Sequence, residues 1–203
     1  MSSTVPQPLI SLAILASGSG SNAAAIVEYF KGHKFCRIEG IWTNSSKAGV
    51  LSRNLSVPVH VFTPGLDDAM VLQDWKRREV HAIACAGYLK RVPADWIQAF
   101  EKRIWNVHPA LLPKFGGAGM YGLHIHRAVI QAGEALSGLS IHEVTAEYDE
   151  GALCFQCALP VASTDDPESL QARILRMEHW AFPRVLEALL LDKNLPDPSA
   201  CPK

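Results

Sequence analysis

Asn106 and His108 are the residues in this chain whose types and spacing first point to chemistry. They stand at the end of a short apolar run, residues 103–107, that breaks at Pro109 into Ala110-Leu111-Leu112-Pro113. Side chains alternate along an extended strand, so residues two apart project on the same side. The pair therefore sets an amide beside an imidazole at a strand's C-terminal end, where ligands collect in open α/β sheets. Both groups can hydrogen-bond a carbonyl oxygen, and the imidazole can also exchange a proton. Taken alone, Asn-x-His equally fits a capped strand end with an ordinary loop histidine.

A second candidate lies near the start. Residues 9–16 form a nearly continuous apolar run, as in a strand buried on both faces, and lead straight into Gly18-Ser19-Gly20-Ser21-Asn22. Residues 23–30 then read as a helix, with Ser21 or Asn22 as N-cap and Gly32 as a stop. Free backbone N–H groups and the positive end of the helix dipole converge at such a place, and a phosphate fits it. The loop lacks a lysine and is neither a full dinucleotide fingerprint nor a Walker sequence, which argues against nucleoside triphosphate chemistry. A tight turn and nothing more is the plain alternative.

The elements that must position these groups alternate between strand and helix. Strands are expected at 37–43, 59–62, 81–86 and 103–107, with helices at 47–54, 67–78 and 93–100 between them. Such alternation implies parallel βαβ units with right-handed crossovers. The apolar runs 136–144 and 153–161 have no helix between them, so the sheet should end in an antiparallel pair. A helix opens at 123, and a last one starts after Asp165-Asp166, with Pro167 in its first turn and Pro183 as an expected kink. The organisation expected is a flexible leader at 1–8, one domain at 9–192 and a disordered tail at 193–203 that begins about Asp192 and is rich in proline.

Composition limits the classes of function. The 203 residues are 48% hydrophobic and 19% charged, ordinary for a globular protein. Nineteen basic against 20 acidic residues give a formal charge of -1, and no basic tract suggests nucleic acid. No stretch has the ~20 apolar residues that a membrane span needs. The five cysteines have no scaffold spacing, which points to reduced thiols and a cytoplasmic address. Cys154 and Cys157 would face opposite sides of a strand, and His124 and His126 diverge on a helix, so neither pair is a good metal site. No metal is expected.

The run Asn106-x-His108-Pro109-Ala110-Leu111-Leu112-Pro113, the Asp-x-Gly at Asp149 and Gly151, and the Gly18–Asn22 loop together resemble the phosphoribosylglycinamide formyltransferases, over roughly residues 9–192. That resemblance implies a Rossmann-like α/β formyltransferase fold: a mostly parallel twisted sheet with a C-terminal antiparallel part and helices on both faces. It implies 10-formyltetrahydrofolate as co-substrate and a glycinamide ribonucleotide as acceptor, both small molecules, in a monomer or homodimer. It assigns Asn106, His108 and Asp149 to catalysis. Gly20, Ser21, Asn22, Pro109 and Glu178 fall to the ribonucleotide. The folate falls to Leu89, Lys90, Arg91 and Val92, and to Asn106 with Thr145, Ala146, Glu147, Tyr148 and Asp149. His124 and His142 are supporting residues. Arg91 departs from the family's usual apolar residue, Ala110 stands where some relatives have serine, and residues 114–122 form a longer, glycine-rich segment that reads as a lid.

Attack of a primary amine on a formyl carbonyl develops negative charge on oxygen and positive charge on nitrogen. A protonated His108, as electrophile and acid, and the Asn106 amide are expected to hydrogen-bond the oxygen, and Asp149 to raise the His108 pKa and relay the amine proton through water. Three other readings remain open on sequence. They are a formyltetrahydrofolate hydrolase or another folate-dependent formyltransferase, a metal-dependent hydrolase using His108, His124, His126 and Asp149, and a non-catalytic nucleotide-binding module.

Overall fold

The computed structural model describes residues 9–203, so the expected leader lies outside the described residues. Seven strands form one sheet: β1 (Ile10–Leu15), β2 (Cys36–Thr43), β3 (Val59–Val61), β4 (Ala82–Cys85), β5 (Ile104–His108), β6 (Leu136–Glu143) and β7 (Leu153–Pro160). Their spatial order is β3-β2-β1-β4-β5-β6-β7. Every pairing from β3 to β5 is parallel, whereas β5–β6 and β6–β7 are antiparallel. This is the mixed sheet that the two apolar runs without a helix between them predict. Chain order reverses between β1 and β4, and the crevice beyond the strand ends at such a switch point is the usual ligand site.

Strand parity divides the core. Leu12 and Ile14 of β1 pack with Ile26 of α1 (Ser21–Tyr29), Ile125 of α4 (Leu123–Gln131) and Phe182 of α5 (Pro167–Leu190). Ala13 and Leu15 face the opposite side, against Trp75 of α2 (Asp68–Arg77) and Trp96 of α3 (Ala94–Ala99). Helices therefore cover both faces. Among the described residues no helix is long and apolar enough to cross a membrane.

Two local expectations change. The helix expected at 47–54 is only a 3-10 turn, Gly49–Ser52, in which the Ser52 hydroxyl donates to the Gly49 carbonyl at 2.8 Å. Glycine and serine favour such local bonding over a continuing α-helix. Residues 193–203 do not trail away: a second 3-10 turn, Pro198–Ala200, precedes a buried Cys201, and the Cys157 thiol donates to the Pro198 carbonyl at 3.2 Å. The last helix, α5, carries Pro183 within its length, buried on its inner face. One lost N–H is a small part of a 24-residue helix held by its apolar side.

Candidate active site

A cleft of about 490 Å³ opens along the strand ends. It is lined by the start of α1, the turn after β4, the end of β5, the 117–122 segment, the β6–β7 connection and the inner side of α5. Of the residues assigned catalytic, binding or supporting roles from sequence, all but His124 border it.

At its centre, register makes the first contact. Asn106 lies directly opposite His142 across the antiparallel β5–β6 pair, and Asn106 Nδ2 is 3.0 Å from His142 Nε2. His142 Nδ1 lies 2.7 Å from the Glu143 carbonyl, which can only accept, so Nδ1 carries the proton. In the neutral ring Nε2 then accepts from the Asn106 amide. Asn106 keeps a second amide hydrogen and its carbonyl oxygen for the cleft.

His108 is buried, with Nε2 2.8 Å from the Phe115 carbonyl and Nδ1 3.6 Å from Asp149 Oδ2. The same logic places a proton on Nε2. Burial holds the His108 pKa below the ordinary imidazole value; the Asp149 charge and the Phe115 carbonyl pull it up without prevailing, and His142 adds to the depression. Asp149 does pull this pKa upward, as expected; the protonated resting state is what burial opposes, because loss of water around the ring outweighs the carboxylate. His108 is a neutral donor at neutral pH.

Asp149 is held from three sides. Its Oδ2 accepts from the Gly117 N–H at 2.9 Å and faces His108, while its Oδ1 lies 3.4 Å from His142 Nε2. Burial works to raise its pKa, but the neighbouring His142 and His108 imidazoles and the Gly117 N–H together carry it below the usual carboxylate value. The residue sits at φ 59°, a left-handed conformation that aspartate tolerates better than most. Two residues on, a Cβ at Gly151 would fall 1.8 Å from the Glu143 carbonyl, so the connection closes only with glycine there. Hence the Asp-x-Gly spacing has a packing cause.

The glycine-rich 114–122 segment does more than cover the cleft. It supplies the Phe115 carbonyl to His108 and the Gly117 N–H to Asp149. These backbone contacts carry no side-chain signature, so sequence reading missed them. His126 was also undervalued. It borders the cleft and is buried, with its pKa pushed down to about 4 by burial and then by His108. His124 is instead exposed, its ring edge-on to Tyr121. The available signal was the apolar pair Ile125 and Val129: His126 lies three residues before Val129, on the inward side of the helix.

At the α1 end the N-cap is Gly20 rather than Ser21 or Asn22, at φ 70°, and no side chain caps the helix. The first-turn N–H groups are therefore left for an anion. A Cβ at Gly20 would also lie 2.5 Å from the Val50 side chain, so the 3-10 turn presses against this loop. The Asn22 amide donates to Glu178 Oε2 at 2.5 Å, deep in the protein. Burial pushes the Glu178 carboxyl up to about 7, partly opposed by that hydrogen bond.

At the other end, residues 87–92 face the β6–β7 connection. Arg91 Nη2 lies 2.8 Å from Glu147 Oε2, and its guanidinium stands 5.2 Å from the centre of the Tyr148 ring. Leu89, Lys90, Val92, Thr145 and Ala146 complete this mouth, and Pro109 borders the cleft beside His108.

A Rossmann-like mixed sheet with a buried imidazole beside a half-buried carboxylate and amide, between an uncapped helix start and an open mouth, defines a class. The formyl transferase family pattern matches residues 10–186, and the chain belongs to that family. Among curated relatives, the chloroplastic phosphoribosylglycinamide formyltransferase of Vigna unguiculata is 40% identical over 187 residues, covering 88% of this chain and 60% of the relative. The phosphoribosylglycinamide formyltransferase of Escherichia coli K12 is 29% identical over 188 residues, covering 87% and 85%. The crystal structure of glycinamide ribonucleotide transformylase 1 from Symbiobacterium toebii superposes with a TM-score of 0.82 at 30% identity, covering 93% of this chain and 91% of that one. The chain spans less than two thirds of the length of the plant relative.

Proposed function

We propose that this protein transfers a formyl group from 10-formyltetrahydrofolate to the primary amine of N1-(5-phosphoribosyl)glycinamide, a step of purine biosynthesis. The observation that carries the reading is the Asn106, His108 and Asp149 cluster, set in a family member between an uncapped helix start and an open mouth. The ribonucleotide phosphate sits on the N–H groups of Gly20, Ser21 and Asn22. Glu178 meets the ribose, and Pro109 borders the glycinamide arm. The pteridine occupies the mouth between residues 89–92 and 145–149.

The amine attacks the formyl carbon while Asn106 and the His108 Nε2–H hydrogen-bond the formyl oxygen, which takes the place of the Phe115 carbonyl as acceptor. A neutral imidazole suffices, because the donor has only to stabilise charge as it develops. Asp149, ionised by its surroundings, takes the ammonium proton through a water and returns it to the folate nitrogen as the carbon–nitrogen bond to the folate breaks. Holding both substrates together supplies much of the acceleration, on the order of several kcal/mol. His142 keeps Asn106 aligned. His124 has no place in this scheme. No metal takes part, and the protein acts in the cytoplasm as a monomer or homodimer.

The test is a spectrophotometric assay with 10-formyltetrahydrofolate, with and without the ribonucleotide, in the presence of a chelator. Tetrahydrofolate forming only when ribonucleotide is added supports the reading. Tetrahydrofolate without ribonucleotide indicates a hydrolase, activity lost to the chelator indicates a metal enzyme, and no product in either case sinks formyl transfer.

A further inference from the structure

Ser17 joins two parts of the cleft that chain order keeps far apart. It directly precedes the Gly18–Asn22 loop, and it meets the turn after β4 at two points. Its backbone N–H donates to the Gly87 carbonyl at 3.0 Å, and its Oγ accepts from the Leu89 N–H at 2.9 Å. The serine hydroxyl has one hydrogen, and the structure spends it on Asn44: Ser17 Oγ donates to Asn44 Oδ1 at 2.6 Å. With its proton directed at Asn44, just past the end of β2, the oxygen turns a lone pair towards Leu89. The turn it fastens needs fastening. Gly87 has a left-handed φ of 77°, Leu89 is exposed, and β4 itself ends at Cys85, with only the Ala86 N–H to Leu15 and Ser17 N–H to Gly87 backbone bonds beyond it among the described residues.

We propose that Ser17, with Asn44 behind it, is a positioning residue that holds the folate-side turn, residues 87–92, in register with the phosphate-binding start of α1. One residue then sets the spacing between donor and acceptor subsites. Its hydroxyl acts on the donor side alone, because the anion-binding N–H groups are fixed separately, by α1 itself and by Val50 against Gly20. This inference rests on the formyl-transfer reading for the names of the two substrates. The hydrogen-bonded strut itself does not.

The experiment compares Ser17→Ala, Ser17→Thr and Asn44→Ala with wild type. It reads KM for each substrate, tetrahydrofolate binding by calorimetry, and amide hydrogen exchange of the 87–92 segment. Ser17→Ala is expected to raise KM for the formyl donor about fivefold, as for the net loss of one hydrogen bond, and to speed exchange at 87–92. KM for the ribonucleotide should stay within about twofold, in contrast to a general loosening of the protein. Ser17→Thr keeps the hydroxyl and is expected to restore most of the donor affinity. Asn44→Ala, which leaves β1 untouched, is expected to shift the same quantities in the same direction by less, and it decides the matter if Ser17→Ala does not fold. Unchanged donor KM and exchange, or equal rises in both KM values, would overturn the proposal. A wild type without turnover or tetrahydrofolate binding would remove the formyl-transfer reading and the donor role with it; exchange would still show whether the strut exists.

Discussion

At the α1–α5 end of the cleft the polar groups are buried, with the Asn22 amide N–H on Glu178, the Asn22 Oδ1 unpartnered, and Gly20 pressed by Val50. At the opposite mouth Arg91, Glu147 and Tyr148 meet in solvent, with the two charged side chains more than half exposed. Burial makes each contact at the first end costly to break and ties it to ionisation. Screening by water and salt makes each contact at the second end weak and easily exchanged. The first end suits a ligand group held in one place, and the second suits a flat molecule that must enter and leave.

The largest effect is expected where the two ends meet. His108→Ala and Asp149→Asn should each lower kcat on the order of a hundredfold or more, with the far-ultraviolet spectrum unchanged. Turnover near the wild-type rate would remove the centre to which both ends are referred.

Next comes the buried end. The Glu178 carboxyl moves from an ordinary 4.5 to about 7 in the folded protein. The folded state therefore holds a proton that the unfolded state has released, so stability falls as pH rises through this window and the cost is complete above about 7. Glu178→Gln removes the charge and keeps an acceptor for Asn22. It should stabilise the free protein by up to roughly 3 kcal/mol at pH 8 and change little near pH 4. Denaturant unfolding at the two pH values measures it, and equal shifts at both would mean that the carboxylate is not destabilised by burial.

Gly20→Ala should cost about 1–2 kcal/mol, from an unfavourable φ and a collision with Val50, and should raise KM for the ribonucleotide more than KM for the folate. Thermal unfolding and steady-state kinetics separate the two components. The smallest effect belongs to the exposed mouth. Arg91→Ala should raise KM for the folate by no more than about threefold, and the difference should shrink in high salt. A tenfold rise insensitive to salt would show that this mouth is built like the other end.

The frame of the molecule was legible because strands buried on both faces read as unbroken apolar runs. The missing helix between residues 136 and 161 was enough to expect the antiparallel edge. Asn106 and His108 could be placed together from strand parity, and the turn that opens α1 from its glycines. Other features depend on tertiary contact and leave little trace in residue type. The Phe115 carbonyl on His108 and the Gly117 N–H on Asp149 are backbone groups, open to almost any sequence. The fall in the His108 pKa follows from burial, which depends on the folded packing, and a nearby aspartate alone suggests the opposite. Which of His124 and His126 turns inward is settled by how α4 lies against the core, and the apolar spacing of Ile125 and Val129 marks that side. The 3-10 turn at residues 49–52 brings Val50 against Gly20, a contact that residue type does not announce.

The Asn22–Glu178 bond spans 156 residues of chain. Closing so long a loop comes late, after local helices and neighbouring strands have formed. In refolding, recovery of ribonucleotide binding should therefore trail the return of helical signal. A partly synthesised or partly folded chain would hold the glycine loop and the Asn106–His108 strand end yet lack a finished acceptor pocket, so catalytic competence becomes a late report on completed folding.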